Sequence, residues 1–135
     1  MSFLLDTNVA LHLRDGDEEV ARKVGALEEA VFLSVITRVE LEGGVYRHPA
    51  QTGLRRARLD VLLQALPVLA FDDAAAEGYR TIVELAGYSR QKLLDRMIAA
   101  QAIVHRTTLV TLTPEVFEDV PGLQVLAWRA HPAGA

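Results

Sequence analysis

Three carboxylates in this chain of 135 residues, Asp6, Glu40 and Asp95, sit where packing would ask for apolar side chains. Asp6 closes the short run Ser2-Phe3-Leu4-Leu5 and opens the polar triplet Asp6-Thr7-Asn8. An apolar run of that length, bounded by turn formers, has the pattern of a buried parallel strand. Its last residue then faces the carboxyl edge of a sheet, where α/β proteins build their sites. Glu40 lies in a helical stretch with Ile36, Gly43 and Gly44 at offsets of three or four, so its carboxylate is expected on the apolar, glycine-lined side, with Arg38 and Glu42 toward solvent. Asp95 begins a stripe with Ile98, Ala99 and Ala102, the signature of a helix pressed on a sheet. An unpaired buried carboxylate is costly, and three directed at one place suggest a bound divalent cation. Oxygen-only ligands suit Mg²⁺ or Mn²⁺ rather than zinc. His12, His48, His105 and His131 show no zinc-binding spacing and read as helix-end or tail residues.

Each acid taken singly has an ordinary structural explanation. Asp6 can be the N-cap of a following helix. Glu40 can be paired with an arginine. Asp95 can be a dipole-favoured acid in a first helical turn, paired with Lys92 or Arg96. Together they are less ambiguous, because all three fall at strand ends or inner helix faces of one small domain.

Short strands alternate with helices along the chain. Strands are predicted at Phe3–Asp6, Val31–Ser34, Val68–Phe71, Thr108–Thr111 and, at an edge, Leu123–Leu126. Helices are predicted over Asp17–Ala30, from a Ser34 cap to about Tyr46, over Thr52–Leu66, from Asp72 or Asp73 to Gly87, and over Arg90–His105. Gly43 and Gly44 are expected to permit close packing, Pro114–Asp119 to form a turn, and Trp128 to cover the core. This alternation implies βαβ units, a mostly parallel sheet and helices on both faces.

Half the residues are hydrophobic, enough for a real core, and the net charge is −4. That charge argues against a broad non-specific phosphate-binding face, but not against an enzyme whose metal supplies local positive charge. The one dense basic cluster, Arg55, Arg56 and Arg58, reads as a solvated helix face. With no cysteine there is neither a disulfide framework nor a thiolate metal site. No signal peptide or membrane-length apolar window is evident, so a cytoplasmic protein is expected.

Four short blocks occur in order between Phe3 and Trp128. They are Leu4-Leu5-Asp6-Thr7-Asn8; Leu33-Ser34-Val35-Ile36-Thr37-Arg38-Val39-Glu40-Leu41; Asp95-Arg96-Met97-Ile98-Ala99-Ala100-Gln101-Ala102; and Thr108-Leu109-Val110-Thr111 with Phe117 and Val120-Pro121-Gly122-Leu123. In this sequence and spacing the chain resembles the PIN-domain ribonucleases, specifically the toxin of a VapBC-type toxin–antitoxin pair. The resemblance implies a three-layer α/β/α fold around a central, mostly parallel five-stranded sheet. It implies one PIN domain over residues 1–128, followed by a loose tail at 129–135. It implies a metal-dependent endoribonuclease with Asp6, Glu40 and Asp95 as catalytic Mg²⁺ or Mn²⁺ ligands. Thr111 is placed to hydrogen-bond a ligand or water at its strand end. The implied partners are an RNA substrate, a second copy in a homodimer and a VapB-type antitoxin, through which alone operator DNA would be contacted.

One departure from the family pattern matters. Where the family writes an Asn two residues after the strand-end Thr, here Thr111, and then an acid just before the Phe, this chain has Thr113 and Val116. Glu115 or Glu118 could replace the missing fourth acid if the loop is reshaped. The alternative reading is a PIN-like protein that binds RNA and its partner with weak or no cleavage. A haloacid-dehalogenase-like phosphatase would need an Asp where Asn8 stands, and both that enzyme and a receiver domain want a lysine later than Lys92.

Overall fold

The computed structural model describes residues 1–129. Five strands, β1 (Ser2–Leu5), β2 (Ala30–Ser34), β3 (Val68–Leu69), β4 (Thr108–Thr111) and β5 (Val125–Ala127), form one sheet in the order β3-β2-β1-β4-β5. Every pairing is parallel, with Leu4 opposite Phe32 on one side and Leu109 on the other. The mostly parallel expectation is therefore met in full. The strands alternate with α1 (Thr7–Arg14), α2 (Glu18–Gly25), α3 (Val35–Val45), α4 (Thr52–Ala65), α5 (Asp73–Ala86) and α6 (Leu93–Val104).

Alternation of side chains along the central strands splits the core into two layers. Leu5, Leu33 and Val110 join Val9, Leu41 and Leu59 from α1, α3 and α4 on one face. Leu4 and Leu109 join Ile82, Ile98, Ala99 and Ala102 from α5 and α6 on the other. Trp128 packs against the first layer, as expected, and its backbone N–H donates to the Thr111 carbonyl at 2.8 Å. Gly78 lets α5 approach α6, because a Cβ there would stand 2.9 Å from Val104 Cγ2. Gly87 ends α5 at φ 84°, a conformation that favours glycine.

Several boundaries differ from the sequence reading. Helix α1 follows directly on Asp6; the sequence offers it only through Asp6 as a candidate N-cap, because eight residues are too few to show a clear period. Asp17 caps α2 through the Glu19 and Val20 amides, and the helix stops at Gly25, leaving Ala30 to β2. Ser89 accepts from the Lys92 amide, so α6 begins at Leu93 rather than Arg90. β5 lies two residues later at its start than predicted. Gly43 meets nothing within 4 Å, so only Gly44 serves a close approach, to Arg14. The Arg55–Arg58 cluster is not simply solvated: Arg55 donates to the Gly44 carbonyl, Arg56 pairs with Glu42 and Asp60, and Arg58 donates to the Asp15 carbonyl. The predicted tail lies outside the described residues, apart from Arg129. Among the described residues no helix is long and apolar enough to cross a membrane.

Gln101, fully buried in α6, is the main polar tie across the layers. Its amide N–H groups donate to the carbonyls of Leu69 and Ala70 at 3.1 and 3.0 Å, and its oxygen accepts from Ser34, the residue that also caps α3. Gln101→Leu should leave these acceptors and the hydroxyl unpaired in the interior, costing roughly 2–4 kcal/mol of unfolding free energy. Urea denaturation would measure the loss.

Candidate active site

Asp6 reaches the sheet edge because β1 lies between β2 and β4 and ends there. Its backbone N–H still belongs to the ladder, donating to the Val110 carbonyl at 2.8 Å. Its side chain caps α1 by accepting from the Thr7 amide at 2.8 Å, and its second oxygen accepts from the Thr111 hydroxyl at 2.7 Å. Capping and site membership are thus both true of this residue. Asp6 is only 3% exposed. Burial pushes its pKa from 3.8 up to about 6; the Thr111 and Thr7 hydrogen bonds oppose that rise, and the charges of Asp95 and Glu40 add to it.

Thr7 connects two of the acids. Its amide holds Asp6, while its hydroxyl donates to Glu40 Oε1 at 2.9 Å and lies 2.8 Å from the hydroxyl of fully buried Thr37. Thr37 donating to Thr7, which in turn donates to Glu40, fixes all three side chains at once. The buried stripe of α3 is Thr37, Leu41 and Val45, and Val39 is 65% exposed. Glu40 therefore borders the apolar stripe rather than projecting from it, correcting the expected orientation. Its pKa is raised by desolvation, opposed by the Thr7 hydroxyl and reinforced by Asp95. Glu42, whose role the sequence left open, pairs with Arg56 instead.

Asp95 lies in the first turn of α6, and its pKa is raised by burial, with Lys92 pulling the other way. The expected pairing with Arg96 does not form. Arg96 donates to Asp119 at 2.9 Å and to the Gly87 carbonyl, and Lys92 also donates to Asp119, at 3.0 Å. Asp119 absorbs both cations, and their hydrogen bonds lower its pKa. That arrangement leaves Asp95 without a hydrogen-bond or salt-bridge partner among the described residues.

Asn8 and Thr113 also belong to this edge. The Asn8 amide donates to the Thr113 hydroxyl at 3.0 Å, and its oxygen accepts from the Leu112 amide at 3.3 Å, clamping the loop after β4 to α1. In the sequence, Thr7 and Asn8 stand out as small polar residues beside Asp6 within the first family block, while Thr113 stands only as a departure from the family pattern. Val116 packs against the second core layer. Glu115 and Glu118 are exposed, and neither is among the charges acting on Asp6 or Glu40.

The donor set is made of oxygen atoms alone, with mutual repulsion among the acids that a cation would relieve. Among the described residues no three His, Asp or Glu side chains form a ready-made metal cage. A hard cation that keeps several of its waters needs few carboxylates, and the oxygen donors this edge offers to one are Asp6, Glu40 and Asp95.

The fold and the site define an all-parallel α/β domain with acidic groups gathered at the carboxyl edge of its central strands. The chain belongs to the PIN domain family, whose model matches residues 3–123. Among solved structures it is similar to DNA-bound VapBC from Salmonella typhimurium, with TM-score 0.83 and 26% identity over 95% of this chain and 98% of that one. It is also similar to VapBC2 from Rickettsia felis bound to a promoter DNA fragment, with TM-score 0.82 and 25% identity over 95% and 99% of the two chains. FitAcB from Neisseria gonorrhoeae gives TM-score 0.77 and 30% identity over 92% and 96%. A search of curated proteins found no match.

The raised Asp6 pKa carries a stability consequence. Because the folded value lies above the unfolded one, the Asp6 contribution is fully present below about 3.8 and is lost as pH rises through about 6. At neutral pH the ionised carboxylate costs the metal-free protein roughly 3 kcal/mol. Asp6→Asn keeps a cap acceptor for Thr7 and a polar partner for Thr111. It should raise the melting temperature by several degrees at pH 7.5 in chelator, with the gap closing toward pH 4. A gap independent of pH would show that Asp6 is not the group responsible.

Proposed function

We propose that this chain is the toxin of a toxin–antitoxin pair, a Mg²⁺- or Mn²⁺-dependent endoribonuclease acting in the cytoplasm. The observation that carries the reading is the Thr7 link between Asp6 and Glu40 at the end of β1, in a chain that belongs to the PIN domain family. A divalent ion bound there would supply an activated water and stabilise charge on the phosphoryl and leaving oxygens. The chain's own groups do the positioning. Thr7 and Thr111 hold the Asp6 carboxylate from two sides, and Thr7 also orients Glu40. Asp119 occupies Lys92 and Arg96, so Asp95 remains available as an anion. Asn8 keeps the β4 loop against α1, preserving the edge on which Asp6 and Thr111 meet.

An apolar groove of about 580 Å³ runs between α1, α2 and α4, lined in part by Leu13, Val24, Val61 and Leu62. Its size and apolar walls suit a helix of a VapB-type antitoxin, and the similarity to VapBC and FitAcB assemblies supports that partner. Operator DNA would then be contacted through the antitoxin. Formation of a homodimer is supported by the large apolar side chains left at the surface around the α5–α6 connection: Leu85, Tyr88 and Leu94.

A second reading is favoured by one feature: Val116 fills core at the place where the family carries a fourth acid. A PIN domain of that kind would bind RNA and its partner but turn over slowly or not at all.

Purified protein incubated with a mixed pool of structured RNAs should give discrete products with Mn²⁺ or Mg²⁺ and none in chelator. Activity should rise with pH as Asp6 ionises, since only the carboxylate form can hold the metal. Asp6→Ala should lose at least about a hundredfold in rate. RNA retention without cleavage by the parent protein would favour the binding-only reading. Val61→Asp, at a residue 67% exposed, should weaken antitoxin capture by more than tenfold while leaving cleavage by the free protein unchanged. Pull-down and the same cleavage assay would read the two effects separately.

A further inference from the structure

A second concavity of about 290 Å³ shares residues with the acidic edge. Thr7 and Glu40, hydrogen-bonded to each other, form part of its wall, and Arg14, Arg47, His48 and Arg55 also line it. These basic residues come from α1, from the loop after α3, and from α4. Asp15 is the other acid lining the cavity, and one of its oxygens accepts from Arg14 Nε and Nη2 at 3.0 and 2.8 Å. Arg55 uses Nη1 to donate to the Gly44 carbonyl at 2.9 Å. Arg47 and His48 are exposed and have no carboxylate partner among the described residues.

Arg14 is the informative member. It is 3% exposed, yet its Nη1 finds no acceptor among the described residues. A buried charged donor left unpaired is expensive, and such groups are rare in folded interiors. Nη1 lies against Gly44, itself part of the cavity lining, where an added Cβ would stand 3.4 Å away. Guanidinium groups converging from separate elements suit a tetrahedral oxyanion, whose oxygens can accept from several donors at once.

We propose that this cavity binds a backbone phosphate of the RNA strand, next to the phosphodiester held at Asp6, Glu40 and Asp95. The inference rests on the nuclease reading and deepens it. It also accounts for how a chain with net charge −4 engages a polyanion, through one built anion site rather than a broad basic face.

The test is fluorescence anisotropy with a labelled, short, mixed-sequence single-stranded RNA, in chelator so that no cleavage intervenes. Arg47→Ala changes an exposed side chain, and Gly44→Ala places a methyl over Arg14 Nη1 in a helix interior where alanine is favoured. Each variant should keep the parent's melting temperature or exceed it, and should weaken RNA binding on the order of tenfold. Arg47→Ala should also flatten the dependence of log affinity on log salt by nearly one phosphate contact. Parent-like RNA binding by both variants, or no measurable binding by the parent at low salt, overturns the proposal. Loss confined to antitoxin capture also overturns it, assigning the cavity to a partner carboxylate instead. Because binding is read without metal, either result is separable from the success or failure of the cleavage assay.

Discussion

The acidic edge of this PIN domain is organised around a carboxylate kept buried at the end of its first strand. Asp6 belongs to the β-ladder through its amide, caps α1 through one side-chain oxygen and accepts the Thr111 hydroxyl through the other. Desolvation is the largest influence on it, and the neighbouring acids add to the penalty. A fold selected only for stability would place an uncharged polar group there. The threonines around the site lessen the cost without neutralising the charge, which leaves the carboxylates able to attract a cation.

Ion pairs hold several cations in place around that edge. Asp119 collects Lys92 and Arg96, the basic residues on either side of Asp95 in sequence, and Glu42 collects Arg56. Gln101 and Ser34 join α6, α3 and β3 by buried hydrogen bonds, and these elements carry or support two of the three acids. Satisfied buried polar networks specify one arrangement more sharply than apolar packing can. Precision in the acidic edge is thus a property of the second layer of polar contacts as much as of the acids themselves.

The two concavities flanking the site divide its surroundings chemically. One is an apolar groove between α1, α2 and α4, and the other is a polar cavity reaching Glu40 from the α1–α3–α4 side. Arg14 lines both, paired with Asp15 through two nitrogens and with its third buried and without an acceptor among the described residues.

The sequence by itself determined the five strands and their parallel class, because these are written in local patterns. Apolar runs of strand length, capping residues and acids within small apolar stripes are short-range signals. It also carried the family through four ordered blocks. It did not reveal α1, which is too short to establish a period, nor the true direction of Glu40 on α3, where Val39 is exposed and the buried stripe is Thr37, Leu41 and Val45. Only the tertiary structure decided which charges meet. Arg96 and Asp119 are 23 positions apart, Asp6 and Thr111 are 105 apart, and no local pattern encodes the choice of partner over such separations. The role of Thr7 as the link from Asp6 to Glu40, and the isolation of Arg14 Nη1, likewise follow from how α1 lands on α3, a matter of packing geometry rather than residue order.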